Sequence, residues 1–158
     1  MSFHVEVQKA TSEPVPEEGD IRRWVEEALT SHLEDAELTV RLVDLAEMTN
    51  LNQAYRGKCG ATNVLSFPAD LPAGISHPLL GDIVICAPVV AREASAQHKP
   101  QLAHWAHMAV HGTLHLLGFD HLNEQEADEM ETLETAILAR MDFPCPYSDS
   151  PPVEQLQQ

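Results

Sequence analysis

Three histidines, His111, His115 and His121, fall in the stretch His-Gly-Thr-Leu-His-Leu-Leu-Gly-Phe-Asp-His at a spacing that can place all of them around one metal ion. His111 and His115 lie four residues apart in an apolar run without proline, so a helix stacks their imidazoles on one face. Gly118 stands where a helix would need a left-handed C-terminal residue, and a chain reversal there swings His121 back toward the first pair. Three neutral imidazoles with one open position describe a catalytic zinc site, whereas a structural site is closed by four protein ligands, usually with cysteine thiolates among them. One histidine in such a helix reads more readily as a packed side chain; three at this spacing, with a glycine at the turn, reverse that reading.

The pattern is also similar to the His-Glu-x-x-His-x-x-Gly-x-x-His signature of metzincin proteases in every fixed position but one. Gly112 stands where the protease has the glutamate that serves as general base for peptide hydrolysis. The sequence thus keeps the metal ligands and lacks the protease's base. Three neutral ligands leave the dipositive charge of a zinc ion uncompensated, which favours an anionic substrate such as a phosphodiester over a neutral peptide.

Composition sets the frame for this site. A chain of 158 residues with 44% hydrophobic content fits one globular domain, expected over residues 1–142, with a Pro- and Gln-bearing tail over 143–158 that reads as partly disordered. No apolar run approaches the roughly 20 residues of a membrane span, and the first residues lack a signal peptide's basic and apolar regions, so a cytoplasmic location is expected. Cys59, Cys86 and Cys145 are far apart and form neither a disulfide framework nor a zinc ribbon pattern. The net charge of -16 argues against nucleic-acid binding through the whole surface, so any RNA contact must be local. The acids concentrate from Glu13 to Glu37 and from Glu124 to Glu134, while the interval between holds most of the histidines and the cations Arg56, Lys58, Arg92 and Lys99.

The elements that must position these residues follow from periodicity. Phe3 to Gln8 and Leu38 to Val43 alternate as half-buried strands, and between them Asp20 caps a helix with an apolar stripe Ile21, Trp24, Val25, Ala28 and Leu29. Asp44 caps a short helix through Tyr55, followed by a tight loop in which Arg56 and Lys58 sit beside Gly57 and Gly60. An arginine in such a loop is usually solvated, although its planar fork suits bidentate phosphate recognition. Asn63 to Phe67 forms a strand, the segment to Pro78 a loop that can border a cleft, and Gly81 to Cys86 a short, central, apolar strand. Pro88 and Pro100 each suit the first turn of a helix, and the second of these, Gln101 to Leu117, is apolar nearly all round and so is the buried central helix. His107 on it is either packed or a partner of a ligand. Asn123 with Glu126 starts a last helix whose apolar stripe is Ala127, Met130, Leu133, Ile137 and Leu138 and whose glutamates read as a solvated face. These elements give an α+β domain: a small mixed sheet of about four strands covered by helices, with a zincin-like central helix carrying the ligands.

Tyr55-Arg-Gly with Thr62-Asn-Val-Leu-Ser-Phe-Pro68, Gly81-Asp-Ile-Val-Ile, His104-Trp-Ala-His107 and His111-Gly-x-Leu-His115-x-x-Gly-x-Asp120-His121 together resemble the YbeY family of bacterial endoribonucleases, over nearly the whole chain. The resemblance implies a zinc-binding, single-strand-specific endoribonuclease that matures the 3′ end of small-subunit (16S) rRNA and acts in ribosome quality control, with single-stranded RNA and ribosomal particles or ribosome-associated proteins as partners and neither DNA nor membrane. By position, His111, His115 and His121 match the metal ligands of one Zn2+ ion, and Arg56 matches the family's functionally important arginine. Either a metal-activated water or the RNA 2′-OH can be the nucleophile, and Asp120 either orients an imidazole or forms the turn. Two other readings are a non-catalytic, zinc-stabilised ribosome-assembly factor and, less well supported, a metallopeptidase.

Overall fold

The computed structural model describes residues 2–69 and 78–147. Along the chain run β1 (Ser2–Ala10), α1 (Glu18–Thr30), β2 (Asp35–Val43), α2 (Leu45–Arg56), β3 (Val64–Pro68), β4 (Leu79–Cys86), α3 (Ala87–Ala96), α4 (Gln101–Leu116) and α5 (Glu124–Arg140). β1 pairs in parallel with β2 and β2 in parallel with β4, while β3 pairs antiparallel with β4, giving the order β1-β2-β4-β3. The result is the α+β architecture expected from the sequence, with an open mixed sheet of four strands and five helices.

The period-2 pattern of the inner strands decides how the helices attach. Leu38, Val40 and Leu42 of β2 and Ile83 and Ile85 of β4 point into the main core with residues of α1, α4 and α5. Val43, Val84 and Cys86 point the other way and meet Met48 of α2 and Val89 of α3 in a second cluster. β4 is apolar on both faces because both are covered, which is why Gly81 to Cys86 reads as a central strand.

Two helix starts differ from expectation. The backbone N–H groups of Asp20 and Ile21 donate to the Glu17 carbonyl, so α1 begins with Glu17 as its cap and Asp20 lies inside the first turn, where its charge still complements the helix dipole. Pro100 is the cap of α4 rather than its first residue, accepting from the His104 N–H. Most of the loop expected after Pro68, and the tail beyond Tyr147, lie outside the described residues.

α4 is buried along most of its length and crosses the sheet at Gly112. A Cβ at position 112 would sit 2.8 Å from Ile83 Cγ2 and 3.3 Å from both Ser66 Oγ and Val64 Cγ2, and the Ser66 hydroxyl donates to the Gly112 carbonyl at 2.9 Å. The glycine therefore has a packing reason: it lets the helix lie directly on β3 and β4. Gly112→Ala is expected to lower stability, because overpacking costs about 1–3 kcal/mol and the helix-propensity gain of about 1 kcal/mol offsets only part of it. Urea unfolding should show a lower midpoint with an unchanged slope, and a midpoint at or above wild type would refute the tight contact.

Candidate metal centre

His111 and His115 occupy successive turns of α4, on a face turned about 60–100° around the helix from Gly112, and their Nε2 atoms lie 3.1 Å apart. His121 joins them because α4 ends in a reversal of defined chemistry. The Gly118 N–H donates to the His115 carbonyl and the Phe119 N–H to the Leu114 carbonyl, both at 3.0 Å, with Gly118 at φ 104°. This paired bonding satisfies the last carbonyls of the helix and requires a left-handed residue at 118. Phe119 packs against the core, and the Asp120 carboxylate accepts from the His121 N–H at 2.8 Å, so Asp120 forms the turn. The His121 ring ends 5.8 Å from His111 and 5.2 Å from His115, between ring centroids.

One nitrogen from each of the three rings lies within 4.8 Å of those of the other two. Tetrahedral zinc at about 2.0–2.1 Å from each nitrogen needs ligand atoms about 3.3–3.4 Å apart, and the His111–His115 separation is already close to that. His111 and His115 are partly buried while His121 is exposed, so the cluster faces solvent on one side. Burial, and then the neighbouring His111 and His121, push the His115 pKa down, which keeps its imidazole neutral and its lone pair free at neutral pH. The donor set fits a divalent transition-metal ion with an open coordination position.

Behind the three histidines stands a residue that the sequence does not single out. Glu134 of α5 is fully buried, with one carboxylate oxygen 2.5 Å from His111 Nδ1 and the other 3.1 Å from His107 Nε2. The Tyr147 hydroxyl donates to that second oxygen and lies 3.1 Å from His107 Nε2. Burial pushes the Glu134 pKa up, but hydrogen bonds from His107 and His111 and their charge outweigh it and leave the carboxyl at about 2. Burial, then the Glu134 hydrogen bond and charge, push the Tyr147 pKa up, so its hydroxyl remains a donor. An ionised Glu134 holds a proton on His111 Nδ1 and leaves Nε2 as the metal-facing lone pair. Among the described residues His107 Nδ1 is buried without a partner, as expected if the His107 proton sits on Nε2.

The expectation that the glutamates of α5 form a solvated face is thus wrong for Glu134. Its place was legible, since Met130, Glu134, Ile137 and Leu138 follow one helical stripe and all four are buried. Tyr147 carried no such signal, because it arrives through a chain reversal after α5. Arg56 is the last residue of α2, exposed, with Gly57 at φ 65° closing the helix behind it. Its side chain makes no hydrogen bond or ion pair among the described residues. The chain runs from it through a loop held by the bond from Asn52 Nδ2 to the Gly60 carbonyl, 2.9 Å, into β3, the strand that touches α4.

A family model described as "Endoribonuclease YbeY" matches residues 5–142. A protein named "Endoribonuclease YbeY" from Pseudomonas putida strain KT2440 is 53% identical over 148 residues, covering 93% of this chain and 94% of that protein. One of the same name from Cellvibrio japonicus is 52% identical over 147 residues, covering 92% of this chain and 82% of that protein. The solution structure of TM1509 from Thermotoga maritima has the same fold, with TM-score 0.58 at 22% identity, covering 96% of this chain and 99% of that one.

If Glu134 orients His111 in this way, Glu134→Gln should weaken metal affinity about 10- to 100-fold, the usual effect of losing a carboxylate behind a histidine ligand. His111→Ala and His115→Ala should each lose stoichiometric metal altogether, whereas Asp120→Asn, whose amide oxygen can still accept from the His121 N–H, should retain it. Chelator competition and metal analysis on the folded proteins read all four. Undiminished affinity in Glu134→Gln would show that the carboxylate has only a packing role.

Proposed function

The chain belongs to the endoribonuclease YbeY family, and we propose that it is a zinc-dependent, single-strand-specific endoribonuclease of rRNA processing, acting at the 3′ end of 16S rRNA and in ribosome quality control. The observation that carries this reading is the convergence of His111, His115 and His121 on one point that is open to solvent. The ribosome association and the cytoplasmic setting belong to the same proposal; among the described residues, no helix is long and apolar enough to cross a membrane.

Bound by three neutral imidazoles, zinc would supply an electrophilic centre that polarises a phosphodiester oxygen and lowers the pKa of a water from about 15.7 toward 7. The protein's own groups do the rest. His111 and His115 present their Nε2 lone pairs from adjacent turns of α4, and His121 closes the third corner from the loop. Glu134 keeps the His111 proton on Nδ1, so that ring cannot turn its N–H toward the ion. Arg56, exposed and free of ion pairs among the described residues, offers a guanidinium fork for the phosphoryl oxygens on which charge develops.

A peptidase is disfavoured on the same geometry. Position 112 faces Ile83 and Val64 on the sheet, so a glutamate there would meet side chains rather than a substrate. Glu134 is engaged at His111 Nδ1, on the ring edge opposite Nε2. Neither supplies a general base at the open position.

The purified protein should cleave single-stranded RNA and leave duplex RNA intact, and should lose activity on chelation and regain it with zinc. Arg56→Ala should reduce turnover by about 10²–10³-fold, the range for one preorganised charge-stabilising donor, and His115→Ala should abolish it, both variants remaining folded by circular dichroism. Cleavage by both at the wild-type rate would point to a contaminating nuclease. Metal binding without any metal-dependent turnover would favour a non-catalytic assembly factor.

A further inference from the structure

After α5 the chain does not leave the body of the protein. Asp142 adopts φ 68°, its N–H donates to the Ala139 carbonyl and the Phe143 N–H to the Leu138 carbonyl, so the backbone reverses. Phe143 packs edge-on against Trp24 of α1, with ring centroids 6.1 Å apart. Lys99, just before α4, donates from Nζ to the Pro146 carbonyl at 2.7 Å. Tyr147 then places its hydroxyl on the buried oxygen of Glu134. Glu134 lies eight residues before Asp142, about 12 Å along a helix at 1.5 Å per residue. The five steps from Asp142 to Tyr147 span up to about 17 Å when extended, enough to run back along α5 and reach it. Residues 143–147 thus form a strap held at Phe143, Pro146 and Tyr147, and they lie beyond the residues that the family model matches.

We propose that Tyr147 is a positioning residue of the metal centre: its hydroxyl fixes the Glu134 carboxylate, and through it the orientation of His111, so that metal affinity depends on the C-terminal strap. The proposal rests on the reading of His111, His115 and His121 as ligands. A buried carboxylate is oriented only as well as its donors hold it. One Glu134 oxygen takes the proton on His111 Nδ1; the other is shared by Tyr147 and His107. Without the phenol, His107 alone holds that second oxygen, the carboxylate plane is free to swing, and the His111 ring loses its fixed support. The His107 nitrogen also loses its second oxygen neighbour. A role confined to holding the fold together would come from Phe143 and the Lys99 contact, both of which Tyr147→Phe leaves intact.

The test uses the full-length metal-free protein, zinc chloride as the probe and a chromophoric chelator in competition, at a temperature where melting curves show every variant folded. Removing one oxygen from a ring that is 42% exposed does not threaten the fold. Tyr147→Phe should raise the zinc Kd about 3- to 10-fold, below the 10- to 100-fold of a group bonded directly to a ligand. In a Glu134→Gln background the same substitution should have no further effect, because the two act on one interaction. An unchanged Kd in Tyr147→Phe overturns the proposal, as does a full effect that persists in the Glu134→Gln background. Wild type binding zinc tightly beside a Tyr147→Phe variant that binds equally well removes this proposal alone; wild type that binds no zinc removes the metal reading with it.

Discussion

The buried carboxylate of Glu134 is the constraint on which the rest of the structure depends. Taking an ionised carboxyl out of water costs several kcal/mol, which only good hydrogen bonds repay. Here the donors come from three places in the chain: His107 and His111 one turn apart on α4, and Tyr147 from beyond α5. Satisfying one group therefore fixes the rotation of α5 against α4 and the path of the chain after it. Removing one of the two histidines from such a buried cluster typically costs about 3–5 kcal/mol, so α4 and Glu134 behave as a unit. The same bonds that make the burial tolerable also set the imidazole tautomer at His111, which ties packing to chemistry.

α4 meets two demands at once because its two sides differ in residue size. Toward the sheet it presents Gly112, which brings the helix axis close to Ile83 and Val64 and lets the Ser66 hydroxyl reach a helix carbonyl. On the face about a quarter-turn further around the helix it presents His104, His107, His111 and His115, whose partners come from α3 and α5. His104 is also paired, with Glu93 of α3 at 2.9 Å, and Glu93 in turn accepts from Asn63 at 3.1 Å. Two acid–histidine groups, Glu93 with His104 and Glu134 with His107 and His111, therefore lie along α4, with the sheet supplying the rigid floor. A site built on one well-packed helix is held more tightly than one assembled from loops, and here only His121 comes from a loop, whose reversal is itself locked by Gly118.

What the sequence makes legible is what is local in it. The ligand triad can be read because two histidines at helical spacing, a glycine and a third histidine encode their own geometry within one helix and one turn. The four strands can be read because their alternation, or in β4 its absence, reports which faces are covered. Glu134 was read as one of several surface acids, since composition groups it with its exposed neighbours Glu131 and Glu129, although its register with Met130 and Ile137 places it inside. Gly112 was read as a missing base when its nearer meaning is steric. Tyr147 and the Asn63–Glu93–His104 contacts were not legible at all, because each joins residues that no local pattern links. Arg56 is marked by its loop between two glycines and more strongly by the family motif, and the fold places it at the exposed end of α2.

An acidic protein acting on a polyanion has to concentrate attraction where it is used. The net charge of -16 is carried largely by exposed acids of α1, α5 and the segment before α1. At the histidine triad the two nearby carboxylates are already engaged, Asp120 with the His121 N–H and Glu134 with His107, His111 and Tyr147, so an ion held by the three imidazoles alone would keep much of its charge for the substrate. Under the function proposed above, binding of single-stranded RNA would rest on few neutralised phosphates, and since counterion release scales with their number, affinity would owe little to the general field of the protein. Under the RNA-cleaving function proposed above, discrimination would come from whether a phosphodiester can be presented to the open position and to Arg56 together. An unpaired strand can bend to do that, and a stiff duplex cannot.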